Sequence, residues 1–116
     1  MDISFVIVTF NSREPIETCL HSLISSINNK LKFEIIIVDN HSQDGTKQFI
    51  NNNFPNIQLI ENTTNLGYTK AMNMGLKIAK GDFIVQLNPD VYINPGTFQK
   101  IITWMTDQKE TGICIP

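Results

Sequence analysis

Phe33-Glu34-Ile35-Ile36-Ile37-Val38-Asp39-Asn40-His41-Ser42-Gln43-Asp44-Gly45-Thr46 decides the fold. Its first part, Phe33 to Val38, is a β-branched apolar run suited to a strand buried on both faces. The run stops at Asp39. The polar segment from Asn40 to Thr46 is a turn able to cap a short helix carrying Phe49 and Ile50. A strand buried on both faces needs cover above and below, and helices on a parallel sheet supply it.

The same unit recurs on either side. Upstream, Ile3 to Thr9 is a second buried strand. It is followed by Asn11-Ser12 as caps, Pro15 suited to a first helical turn, and Glu14 and Glu17 suited to the helix dipole. Ile16, Cys19, Leu20, Leu23, Ile24 and Ile27 then recur on one helical face until Asn28-Asn29-Lys30 ends it. Downstream, Pro55 closes the short helix, Ile57–Ile60 reads as a strand, and Glu61–Tyr68 as a polar loop. A helix follows through Ala71, Met72, Gly75, Leu76, Ile78 and Ala79, with Gly81 as the residue beyond its end. Phe83–Leu87 is the fourth strand, running into Asn88-Pro89-Asp90. Pro95-Gly96 opens a helix with Phe98, Ile101, Ile102 and Met105 on its apolar side and Trp104 beside it. Gly112-Ile113-Cys114-Ile115-Pro116 reads as the start of a fifth strand.

Strands alternating with helical patterns predict an α/β fold: a mostly parallel sheet with helices on both faces and right-handed crossovers. Ligands of such sheets bind beyond the carboxyl ends of the strands, where strand order reverses. The places to look are therefore just after Val8, Val38, Ile60 and Leu87.

Composition bounds the function. The 116 residues fit one domain, with 41% hydrophobic and 17% charged residues, as in ordinary soluble proteins. A net charge of −2 gives no basic footprint, so nucleic acid is not an expected partner. Cys19 and Cys114 lack metal-ligand spacing, and Cys19 on an apolar stripe reads as a buried hydrophobe in a reducing compartment. Asp2 stands where a signal peptide would be basic, and no apolar run approaches a membrane span, so a cytoplasmic location is expected.

The strand ends are polar and small: Thr9-Phe10-Asn11, Asp39-Asn40-His41-Ser42, Asn62-Thr63-Thr64-Asn65 and Asn88-Pro89-Asp90. Each alone is an ordinary turn composition, but together they fall on one rim of one sheet. No glycine-rich dinucleotide loop or Walker-type loop is present to cradle a diphosphate. A divalent cation is then the economical counter-charge, and Mg²⁺ or Mn²⁺ takes carboxylate and phosphate oxygens. Asp90 is placed to be such a ligand. Asp39 is placed to accept from a base N–H or a ribose hydroxyl.

Val6–Asn11, Val38–Thr46, Asn65–Tyr68, Ala71–Gly75, Ala79–Asp82 and Leu87–Asp90 form an ordered series. In that order and spacing the chain resembles the amino-terminal part of a family 2 glycosyltransferase with a GT-A fold, close to rhamnosyltransferase-like members. The resemblance implies that residues 1–116 are a nucleotide-sugar donor domain, incomplete at the carboxyl end. Thr9 and Asn11 would border the nucleotide, and Asp39 with Asn40 would meet the base or ribose. Asn65, Gly67, Lys70 and Asn73 would lie near the donor. Asn88-Pro89-Asp90 occupies the place of the family's Asp-x-Asp metal motif, with Asn88 replacing the first carboxylate and Asp90 retained as metal ligand. The implied reaction is inverting transfer from a UDP- or dTDP-sugar to a saccharide or lipid-linked acceptor in bacterial cell-wall or surface polysaccharide synthesis, peripheral to the inner membrane face. The resemblance places the catalytic base well after the Asp-x-Asp motif, beyond Pro116, and Asp107 and Glu110, at a polar helix end, read as solvated surface.

Two rival readings stay open. One is a non-catalytic nucleotide-sugar-binding or assembly module of the same fold, favoured by Asn88. The other is a generic doubly wound domain, receiver-like or flavodoxin-like, which explains the alternation but not Asn88-Pro89-Asp90. An unpaired sheet edge also predicts self-association.

Overall fold

The structure, a computed structural model, describes residues 1–108, 112 and 113. Four strands, β1 (Ile3–Thr9), β2 (Phe33–Asp39), β3 (Gln58–Glu61) and β4 (Phe83–Leu87), alternate with four helices. The helices are α1 (Arg13–Ser26), α2 (Thr46–Asn53), α3 (Tyr68–Ile78) and α4 (Thr97–Asp107). The strands form one sheet in the order β3-β2-β1-β4, and every pairing is parallel.

That order explains where the helices lie. The chain steps from β1 to β2 to β3 in one direction, then returns past both to place β4 on the far side of β1. Right-handed crossovers carry helices of opposite step direction on opposite faces. Accordingly α1 and α2 pack on one face and α3 on the other. Alternation along β1 feeds both layers: Ile3, Phe5 and Ile7 enter the α1, α2 and α4 core, while Val6 and Val8 meet Ala71 and Met72 of α3. All seven residues of β1 are buried, and each large apolar side chain among them contributes about 1.5–3 kcal/mol. Phe98 fixes α4 to the sheet by an edge-to-face contact with Phe5, ring centroids 4.8 Å apart.

Several sequence expectations shift. Ile24 is 38% exposed rather than part of the buried stripe, because it lies at the margin of α1. The third strand begins one residue later, at Gln58. Gly81 is not a left-handed cap, since α3 ends at Ile78 and the positive-φ glycines are Gly45, Gly67 and Gly96. Gly81 is required instead by close approach: a Cβ there would meet the Ser4 nitrogen, the Ile3 carbonyl carbon (2.6 Å) and the Phe83 oxygen (2.8 Å). The expected fifth strand over residues 112–116 lies mostly outside the described residues, as do Cys114 and Glu110. No helix among the described residues is long and apolar enough to cross a membrane.

Candidate functional site

The strand order reverses between β1 and β4, so the crevice to inspect lies beyond the carboxyl ends of these two strands. Thr9 pairs with Asp39 and Asp39 with Glu61, while Ile7 pairs with Leu87. In-register parallel pairing therefore brings the four polar strand ends to one rim.

A continuous hydrogen-bonded network builds that rim. Asp39 is fully buried; its Oδ1 accepts from Thr9 Oγ1 (2.7 Å) and Ser42 Oγ (2.6 Å), and its Oδ2 from the Ser42 N–H (2.8 Å). Ser42 Oγ in turn accepts the Asn11 N–H at 2.8 Å, and Asn11 Oδ1 accepts the Gln43 N–H at 2.8 Å. Asn11 has φ +48° and His41 φ +69°, left-handed positions that asparagine tolerates and that these bonds stabilise. Behind them, Thr46 Oγ1 accepts the Ser12 N–H at 3.0 Å and Asp44 Oδ2 accepts the Arg13 N–H at 3.0 Å.

Asn40 extends the network to the loop after β3. It is buried, donating through Nδ2 to the Gly67 carbonyl (3.0 Å) and accepting at Oδ1 from Asn62 Nδ2 (3.0 Å) and the Leu66 N–H (3.3 Å). Asn65 Oδ1 accepts the Gly67 N–H at 2.8 Å, and Gly67, at φ +83°, turns the chain into α3. Lys70 and Asn73 are exposed on α3.

The fourth wall follows β4. Asn88 and Asp90 are exposed, and α1 supports their segment from below. The Cys19 thiol faces the Asn88 carbonyl at 3.8 Å, and Ser22 Oγ accepts the Ile93 N–H at 3.0 Å. Burial first, and the nearby Asp90 charge second, push the Cys19 thiol up to about 11 against a lowering hydrogen bond at Val91, so it stays protonated at neutral pH. Desolvation works against ionised Asp44, but hydrogen bonds from Thr46 and the Arg13 N–H outweigh it and hold its carboxyl below the usual carboxylate value.

Thr9, Asn11, Asp39, Asn40, Asn65 and Gly67 thus belong to one bonded rim, whereas Lys70, Asn73, Asn88 and Asp90 border it without joining its hydrogen bonds. Asp39, expected to meet the base or ribose, lies buried between Thr9 and Ser42 at the centre of that rim. Ser42, Ser12, Asp44, Thr46 and Asn62 were not among the expected site residues, although they hold it together. The spacing of Asp39 and Ser42 carries a signal: an acidic residue followed three positions later by serine can close a side-chain-to-backbone turn. Among the described residues no cluster of three His, Cys, Asp or Glu side chains could hold a metal by itself.

Known proteins share this fold. The chain is 36% identical over 114 residues to the poly(ribitol-phosphate) beta-glucosyltransferase of Bacillus spizizenii, covering 95% of this chain and 18% of that protein. The Staphylococcus aureus TarS 1–349 structure in complex with UDP-GlcNAc superposes with a TM-score of 0.84 at 29% identity, over 100% of this chain and 37% of that one. The Pyrobaculum calidifontis mannosyltransferase PcManGT, solved with GDP-Man and Mn²⁺, gives 0.80 at 25% identity over 90% of this chain and 32% of its own. The chain spans about a fifth of the length of curated relatives it matches, 18% and 21% in two of them. Its fold is the GT-A fold of these glycosyltransferases. Residues 4–115 match the Glycosyl transferase family 2 profile, and with nearly the whole chain accounted for, the protein belongs to glycosyl transferase family 2.

Proposed function

We propose that residues 1–116 bind the nucleoside-diphosphate-sugar donor of a longer inverting glycosyltransferase. The observation that carries this reading is the hydrogen-bonded polar rim at the reversal of strand order, in a chain of this family. The donor is a UDP- or dTDP-sugar. Thr9, Asn11 and Asn40 shape the nucleotide end of the crevice, Asn65 and Gly67 its side, and Lys70 and Asn73 the approach along α3. Lys70 adds a positive charge for the diphosphate in a chain with net charge −2.

A divalent cation fits the remaining residues. Asn88 and Asp90 are exposed, offering one amide oxygen and one carboxylate. Mg²⁺ or Mn²⁺ commonly takes one or two carboxylates and completes its shell with substrate phosphates and water. When bound, the ion would neutralise charge on the departing diphosphate. Asp90 would hold it with Asn88 alongside, while α1, through Cys19 and Ser22, keeps their segment in place.

In the reaction the acceptor oxygen forms a bond to the anomeric carbon from the face opposite the diphosphate. The carbon–oxygen bond to the diphosphate breaks, and the leaving group takes its electron pair. The acceptor proton passes to a carboxylate outside residues 1–116; Asp107, the only described carboxylate after Asp90, is exposed at the end of α4. The acceptor is a saccharide or lipid-linked hydroxyl at the inner membrane face. Asn88, in place of a second carboxylate, favours a second reading, a donor-binding module without transfer activity.

Calorimetric titration with UDP, dTDP and GDP, with and without Mn²⁺, tests the proposal. Metal-enhanced binding that Asp90→Ala reduces to the metal-free level is expected. Absence of binding to all three nucleotides refutes the donor site, and Mn²⁺ dependence that survives Asp90→Ala refutes the metal role.

A further inference from the structure

We infer that Asn40 is a positioning residue: its side-chain amide clamps the loop between β3 and α3, and through Gly67 it fixes how that loop borders the crevice. The inference rests on the donor-binding reading above and adds to it what holds the side wall of the site. Residues 63–67 are all exposed, so packing holds them little. Among the described residues, their only hydrogen bonds to the strand ends are those made by Asn40. Asn40 is itself 2% exposed, and its own N–H donates to the Thr9 carbonyl at 2.8 Å.

The three partners of this side chain call for an amide. The Gly67 carbonyl only accepts and the Leu66 N–H only donates, so these two backbone groups set which end of the amide faces which. Asn62, buried at the start of the loop, turns its Nδ2 to the same Asn40 oxygen at 3.0 Å. An aspartate at position 40 would still accept from Asn62 and Leu66, but it would set a charged oxygen against the Gly67 carbonyl. Gly67 is where this matters. At φ +83° and ψ 165° it occupies backbone space that is essentially glycine's, with Asn40 Nδ2 on its carbonyl and Asn65 Oδ1 on its N–H. The same carbonyl accepts the Ala71 N–H at 3.3 Å, in the first turn of α3. The clamp therefore sets both the place of Asn65 and the direction in which α3, with Lys70 and Asn73, leaves the rim.

UDP, dTDP and GDP titrations of Asn40→Asp and Asn40→Ala from about pH 5 to about pH 8 test the clamp, with thermal melts to confirm folding. At the alkaline end both variants are expected to weaken every nucleotide that binds by about tenfold or more, the effect of a carbonyl left without its donor. On acidification only Asn40→Asp is expected to recover towards wild type, because a protonated carboxyl again donates to the Gly67 carbonyl. The neighbouring ionisable groups, Asp39, His41 and Glu61, are present in both variants, so the ratio of their affinities isolates position 40. A ratio that stays level across the range, or full-strength binding by both variants, overturns the inference. Amide exchange supplies a nucleotide-free arm. The Leu66 and Ala71 N–H groups should exchange faster in Asn40→Ala while Ile36 keeps its protection, and unchanged exchange overturns the inference. If the wild-type chain binds no nucleotide, the donor-site reading fails and amide exchange alone judges the clamp, faster exchange at Leu66 upholding it and unchanged exchange refuting it.

Discussion

Ser22 accepts the Ile93 N–H at 3.0 Å, tying the middle of α1 to the segment just past Asp90. The same hydroxyl donates to the Cys19 carbonyl at 3.0 Å, so its orientation is fixed by the helix. Ile93 is buried, and its N–H loses its partner if the hydroxyl is removed. Ser22→Ala is expected to cost about 1–3 kcal/mol in urea unfolding and to weaken the Mn²⁺-dependent part of nucleotide binding more than the metal-free part. Equal loss in both parts would show that Ser22 serves stability alone.

Two glycines should respond differently to alanine. At Gly81 the new Cβ meets backbone atoms of Ser4, Ile3 and Phe83, which cannot move without breaking the sheet. At Gly75 it meets chiefly the Val6 and Val38 side chains, and the helix gains propensity. Gly75→Ala is expected to cost about 1–2 kcal/mol and Gly81→Ala about 3 kcal/mol or more, compared by denaturant midpoints.

Cys19 sets an alkaline limit. Its folded pKa, about 11, exceeds the ordinary value of 9.0. Below pH 9 the thiol is protonated in both states and adds no pH dependence. Between 9 and 11 the unfolded chain releases the proton while the folded chain keeps it, so stability falls as pH rises. Cys19→Ala should flatten this part of the stability profile relative to wild type.

Asp44 sets the acid counterpart. Its folded pKa lies below the ordinary 3.8, so its contribution is present above that value and is lost as pH falls through the folded one. Asp44→Asn should remove that acid-side slope, seen as a smaller difference between unfolding midpoints at pH 5 and pH 3.

β4 has no strand on its far side among the described residues, and Ile84 is 47% exposed on it. Such an edge pairs with other chains. Light scattering should show concentration-dependent association of the 116-residue chain, reduced by Ile84→Lys. Monomeric behaviour of the wild type across concentrations would remove the edge as a contact.

The sequence disclosed the fold because both periods were clean: runs rich in β-branched residues at Ile3–Thr9 and Phe33–Val38, and helical spacing at Ile16, Cys19, Leu20 and Leu23. It also disclosed which loops share a rim, since parallel in-register strands end together. It did not disclose how the rim is wired. Only the fold brings Thr9 within 2.7 Å of Asp39 across thirty residues. Gly81 looked like a helix stop for the same kind of reason: local sequence cannot show that the backbone of β1 passes against it.

The late return of β4 to the side of β1 has a consequence during synthesis. Ile3 pairs with Phe83, so the central strand is among the first made and among the last to be enclosed. Forty-four positions separate Asp39, where β2 ends, from Phe83, or roughly 2–9 s at typical rates of translation. Throughout that interval a nascent chain holding β1 and β2 together has one naked flank of mostly apolar strand. A ribosome-bound chain arrested before residue 83 is thus a natural client for a chaperone that recognises extended hydrophobic segments.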